Sequence, residues 1–249
     1  MRALLVLAIA CAAHAQTFDV ASIKPLDPKT GVPKSRPDIQ VVPGSVTMRN
    51  VGMFHLMIWS FKISPSQVTN PSVFIDLDNA RFDVVAKAAG PATTDEMRLM
   101  MQKLLAERFK LQLHRETKEM SAYVIVEAKG GHKLTPAAAP DGQGVWPVSD
   151  QTKMALAGKS ATLDQLAMFL SDPLRAPVID LTGLNGRYDF TFDITNFVRI
   201  QRQPGEPDPD PVSILQTAMP KQLGLRLESR KMPVEMLTID HVETKPVEN

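Results

Sequence analysis

Apolar and polar residues alternate along Phe18-Asp19-Val20-Ala21-Ser22-Ile23, which predicts a strand over Thr17 to Lys24. The same period returns at Val46 to Arg49 and at Arg81 to Ala88, where Phe82, Val84 and Ala86 would share one side of a sheet. Between these, Met53, Leu56, Met57 and Trp59 fall mostly on one helical face. A helix from about Gly52 to Phe61, capped by Asn50, should therefore pack against a sheet. Thr93 followed three residues later by Glu96 has the form of a capping box. Met97, Met100, Met101, Leu104 and Leu105 then recur at helical spacing to about Arg108. That methionine stripe would suit an adaptable binding surface, but its spacing is also that of a core face, the reading preferred here. Two strands, Phe109 to Glu116 and Ala122 to Ala128, should follow across a polar turn around Lys118.

Breakers divide the rest. Asp27 to Pro43 reads as a loop, Ile63 to Asn79 as irregular chain around Pro65 and Pro71, and Gly130 to Gly158 as loop-like with an exposed stretch at Pro136 to Gly144. Thr162 can cap a helix over Leu163 to Leu170, and Pro177 to Leu181 and Tyr188 to Ile194 read as strands. Pro204 to Pro211 alternates Asp and Pro and reads as a solvated connection. A helix over Val212 to Leu223 and strands over Leu225 to Ser229 and Glu235 to Val242 complete the chain.

One pattern thus occurs twice. Arg81-Phe82-Asp83 corresponds to Arg187-Tyr188-Asp189, and Phe109 to Val126 lies without a gap over Leu223 to Asp240, apolar positions mostly matching apolar ones. The expected fold class is α+β, with two similar helix-strand-helix-strand-strand lobes and mainly antiparallel or mixed sheet. The lobes would occupy 16–130 and 159–249, with 131–158 as a loop or linker. Pattern alone leaves open whether they share one sheet.

The first residues change the picture of where the protein works. Met1-Arg2, an apolar run from Ala3 to Ala13 and the small-residue pattern Ala13-His14-Ala15 make residues 1–15 a signal peptide, with cleavage expected before Gln16. An alternative makes Cys11 the lipid-bearing residue of a lipoprotein, although Ala8-Ile9-Ala10-Cys11 lacks the usual leading Leu. Cleavage would remove the sole cysteine, so an exported chain would rely on an ordinary core rather than disulfides. The formal charge of +1 carries no basic excess of the kind nucleic-acid binding needs. After the first apolar run no second one suggests a transmembrane segment.

Candidate chemistry is sparse. His55, His114, His132 and His241 stand in no metal-binding spacing, and no nucleophile elbow or Ser-x-x-Lys pair occurs past the signal. Asp76-Leu77-Asp78-Asn79 resembles the start of a calcium loop, but Arg81 stands where Gly is needed and Lys87 where the bidentate Glu belongs. The sequence therefore points to no catalytic, cofactor-binding or metal-binding residue and to no cofactor. Trp59 and Phe61, beside an irregular segment, with His55 on the same helix, are the candidates for lining a ligand cleft.

Phe18 to Pro25, Arg81 to Lys87, Leu104 to Leu111 with His114-Arg115-Glu116-Thr117, Val178 to Phe190 and the ending Pro233 to Glu243 together resemble an exported protein family of unknown function, expanded in Solibacter-type acidobacteria. Similar domains occur as the outer portion of membrane metallopeptidases of the beta-lactam-sensor type. The family commonly has Ala-Tyr where this chain has Ile58-Trp59, which would alter ligand preference if that spot lines a pocket. The resemblance supplies no activity, cofactor or catalytic residue and favours sensing or binding. The expected function is an exported, periplasmic or secreted, non-catalytic module that binds a peptide, glycan or protein partner in the cell envelope. The alternatives are a structural or regulatory domain related to sensor ectodomains, and an envelope hydrolase with a dispersed site using His114 or His55.

Overall fold

The computed structural model describes residues 17–26, 37–69, 80–139, 144–150, 152–200 and 210–247. The signal peptide expected over residues 1–15 with Cys11, the Asp76 to Asn79 run, and parts of the loops expected at 27–43, 136–144 and 204–211 lie outside them. The chain is α+β and divides into two compact units, one made of residues up to Lys62 with 72–112 and 240–249, the other of 63–71 with 113–239.

In the first unit the strands β1 (Phe18–Pro25), β2 (Asp38–Val42), β3 (Ser45–Gly52) and β5 (Arg81–Ala88) form an antiparallel sheet in the order β1-β5-β3-β2. Alternation decides its two faces. Val46, Met48, Phe82, Val84 and Ala86 are buried, and they meet Met53, Leu56 and Met57 of helix α1 (Met53–Phe61) and Met97, Met101, Leu105 and Phe109 of helix α2 (Thr94–Phe109), all buried as well. Phe82 and Phe109 meet edge to face with centroids 5.2 Å apart. The methionine stripe is therefore core. Thr93 and Glu96 close the expected capping box of α2.

The second unit holds two sheets. Strand β4 (Val68–Thr69), β6 (Gln112–Glu127), β10 (Val178–Asp180) and β12 (Leu225–His241) are ordered β10-β6-β12-β4, with β10 parallel to β6 and β4 parallel to β12. The central pair is antiparallel, since the Ala128 N–H donates to the Gly224 carbonyl while the Thr238 hydroxyl reaches Glu116. The other sheet is antiparallel, β7 (Thr135–Pro136), β11 (Tyr188–Asp193), β9 (Met154–Ala161) and β8 (Gly144–Ser149) in that order. Helices α3 (Leu163–Leu174), α4 (Thr195–Ile200) and α5 (Pro211–Gln222) accompany them. Ile125, Leu163, Leu166, Phe192, Leu215, Met219 and Leu225 make one continuous core.

Several expectations need correction. Each of β6 and β12 is one long strand rather than two. Their polar halves are exposed and lack an apolar signature, yet they run side by side, joined by an ion pair of Arg115 with Glu235 and by the Thr238 to Glu116 bond, so the backbone ladder continues through them. The stretch 131–158 is no linker, because β7, β8 and the start of β9 lie in it. Within the loop expected at 27–43, Asp38–Val42 is an edge strand. Helix α3 runs on to Leu174 with Pro173 in its last turn. Asn50 does not cap α1, whose N-cap is Gly52 without a side-chain bond.

Asn50 has a different task. It sits at φ 52° where the β3 to β5 register shifts, and its N–H donates to Asp83 Oδ1 at 2.9 Å. Ser160 at the end of β9 has φ 47°, and its N–H donates to Asp189 Oδ1 at 2.8 Å. The helices that follow these two strands, α1 and α3, end on the left-handed Lys62 and Arg175. Likewise α2 is followed by Lys110 at φ 51° and α5 by Gly224 at φ 65° before β6 and β12 begin. Phe109 to Val126 and Leu223 to Asp240 therefore take the same local course, a helix end, a left-handed residue and a long strand.

Candidate functional site

A cleft of about 620 Å³ opens in the first unit where β1, the start of β5, the end of α2 and the terminal stretch 244–247 come together. Its walls are apolar, with Ala21, Ile23 and Pro25 of β1, Phe82 of β5, and Pro246 and Val247. Among the described residues its charged groups are all cationic: Arg81, Arg108 and Lys245.

Each cation is placed by a local cause. Arg81 opens β5 beside the buried anchor Phe82, and its carbonyl accepts from the Leu26 N–H at 2.8 Å, which fixes the end of β1 against it. Arg108 stands in the last turn of α2, where a cation is favoured by the negative end of the helix dipole. A helix leaves its last carbonyls without intrahelical donors. Here the Val247 and Glu243 N–H groups serve Arg108 and Phe109, each at 2.7 Å, and Arg108 Nη1 returns a bond to the Val247 carbonyl at 2.9 Å. Those bonds hold the terminal stretch in place, and with it the exposed Lys245.

Arg81 differs from Arg108 in how its donors are spent. Its Nη1 is buried and has no hydrogen-bond partner. A buried donor left unsatisfied costs about 1–3 kcal/mol, more when it is charged. Arg187, which immediately precedes β11, instead donates Nη1 to the Ser160 carbonyl at 2.8 Å. A smaller cleft of about 190 Å³ at the start of β1 brings together Asp19, Lys103, Glu107 and Arg108, so its charges are mixed.

The residues expected to line a ligand cleft all lie on α1 and are half-buried, and none lines either of these clefts. His55 meets Phe54 edge-on at 6.3 Å. Trp59 lies under the Arg98 guanidinium, 5.7 Å from its ring centroid, in a cation–π contact, while Arg98 also pairs with Asp95 at 2.6 Å. His114 and His241 are exposed on strands, and His132 packs edge-on against Tyr188 at 5.5 Å. In the sequence Arg81 stands out as the first residue of a recurring tripeptide and as the residue that breaks a calcium-loop pattern. What marks it as special, an unspent buried nitrogen, has no counterpart in residue order.

Other polar groupings are self-contained. The Lys118 ammonium at 2.7 Å, then the Thr238 hydroxyl at 2.8 Å, hold the Glu116 carboxyl below its ordinary value. Lys159 and the Ser160 N–H do the same for Asp189. Among the described residues no group of three His, Cys, Asp or Glu side chains is placed to hold a metal ion. No described helix is long and apolar enough to cross a membrane.

Fold and cleft define an α+β protein whose described residues form three four-stranded sheets and a cationic, apolar-walled pocket. The chain belongs to a family described as a protein of unknown function, DUF3738, whose model matches residues 55–242. That match begins in α1 and ends just past β12, so it takes in Arg81 and Arg108 but not β1 or Lys245. No curated protein and no solved structure matches the chain.

Proposed function

We propose that this protein is an exported, non-catalytic module that binds a peptide, glycan or protein partner in the cell envelope, and that the cleft at Arg81 is where it does so. The cleft carries this reading. It offers apolar walls and hydrogen-bond donors, and among the described residues its lining includes no histidine, carboxylate or thiol to transfer a proton or attack a substrate near neutral pH. Export rests on the signal-peptide pattern before Gln16. The two matching series of elements are read as copies of one ancestral module, supported by the paired left-handed residues at Asn50 and Ser160, Lys62 and Arg175, and Lys110 and Gly224.

A photo-crosslinking amino acid at Thr244, exposed at the cleft, tests the reading in cells. The mature protein should begin at Gln16, fractionate with the envelope, and form an adduct with one dominant species. The same probe at the exposed Glu119 of β6 should not capture that species. Cytoplasmic retention, or identical adducts at both positions, would refute it.

A further inference from the structure

The Arg81 cleft selects by charge as well as by shape, and we propose that it takes a monocarboxylate carried on an apolar body, with the Arg81 guanidinium as the principal donor. This deepens the binding role proposed above and rests on it. A guanidinium nitrogen buried without a partner calls for an acceptor, and an anionic acceptor forms the stronger bond. Arg187, just before β11 in the matching tripeptide, finds its acceptor within the fold, so the missing bond is particular to Arg81.

Three further observations narrow the ligand. Among the described residues no acidic side chain lines the cleft. Arg108 already donates to Val247, and Lys245 stands exposed, so the Arg81 guanidinium is the group placed to hold a bound anion and Lys245 a solvated cation for attraction at a distance. A single planar carboxylate matches that supply. A phosphate dianion would bring more charge and hydration than one guanidinium replaces, and it would leave Ile23, Pro25 and Phe82 without apolar partners. The volume of about 620 Å³ is that of a small-molecule site. Such a carboxylate can come from the C-terminus of a peptide or from a free short-chain acid.

The test is calorimetric titration of the mature protein with hexanoate, hexanamide, N-acetyl-Ala-Val-Leu with a free C-terminus, the same peptide amidated, and inorganic phosphate. At least one carboxylate should bind about tenfold or more tighter than its amide. A preference for the peptide or for hexanoate identifies the source, and either result supports the site. Arg81→Met should lose about tenfold or more in affinity for that carboxylate, whereas Arg187→Met should keep it. Acids and amides binding alike, no binding of either acid, phosphate binding more tightly than both acids, or undiminished binding by Arg81→Met would overturn the proposal. Should Arg81→Met fail to fold, Lys245→Glu on the exposed terminal stretch gives the reading at low salt. Weakening of about threefold or more supports the site, and unchanged affinity overturns it. An adduct at Thr244 without carboxylate preference would remove this inference alone and leave the binding role standing.

Discussion

Gly224 and Lys110 hold the same left-handed conformation, each between a helix and a long strand, yet only one of them is the residue that conformation favours. At Gly224 the surroundings forbid anything else. A Cβ there would lie 2.2 Å from the Gly131 carbonyl oxygen and 2.8 Å from His132 Cα, both backbone atoms that cannot swing away. Gly224→Ala should therefore cost about 1–3 kcal/mol from the conformation alone, with the clash added, and urea unfolding would measure the loss. Lys110→Gly should stabilise, by about 1 kcal/mol or less, because it relieves left-handed strain against a larger loss of chain entropy. A destabilised Lys110→Gly variant would show that the lysine side chain matters more than its backbone. At Asp189, Lys159 first and the Ser160 N–H second hold the folded carboxyl below its ordinary value. The ionised form is thus favoured by folding. That stability is complete above the unfolded pKa and is lost as pH falls through it toward the lower folded value. Asp189→Asn should be less stable than the parent at neutral pH, and the difference should shrink in acid below about pH 4. A difference that is constant with pH would contradict the assignment.

Helix ends were the most local of the elements and the easiest to read. Thr93 with Glu96 and Thr162 with Gln165 each close a reciprocal capping box, the former matching its sequence signature in full. Removing the hydroxyl acceptor in Thr93→Ala or Thr162→Ala should cost about 1 kcal/mol each. The two losses should add in the double variant, since the caps share no partner, and thermal or urea unfolding would report it. Strands read less well wherever burial did not impose a period. Asp38–Val42 is an edge strand among loop-like residues, and β6 and β12 run straight through polar stretches around Lys118 and Pro233 that periodicity alone divides in two. A strand stabilised by its neighbour's backbone and by charge pairs across the ladder needs no apolar alternation of its own. At the end of α3 a similar tertiary tie operates. Ser171 donates to the Ala167 carbonyl and accepts from the Val178 N–H at 3.0 Å, joining the helix end to β10.

For the molecule as a whole, the arrangement of strands predicts where the backbone opens last. In the second unit β6 and β12 are flanked on both sides, by β10 and β4 respectively and by each other, and Val124, Ile125, Leu237 and Ile239 are buried on them. Their amides should be among the slowest in that unit to exchange with deuterium, and those of the edge strand β4 much faster. Exchange in β6 as fast as in β4 would argue against the order β10-β6-β12-β4. The sequence by itself determined the α+β class, the apolar faces of α1 and α2 and the capping box before α2, because each depends on residues within a turn or two of one another. Only the tertiary structure decided that β6 and β12 pair in one sheet, that residues 131–158 supply strands, and that Arg81, Arg108 and Lys245 converge while His55, Trp59 and Phe61 line no cleft with them. Strand partners and converging charges come from segments far apart along the chain, and an unspent donor is a property of its surroundings, which residue order does not record.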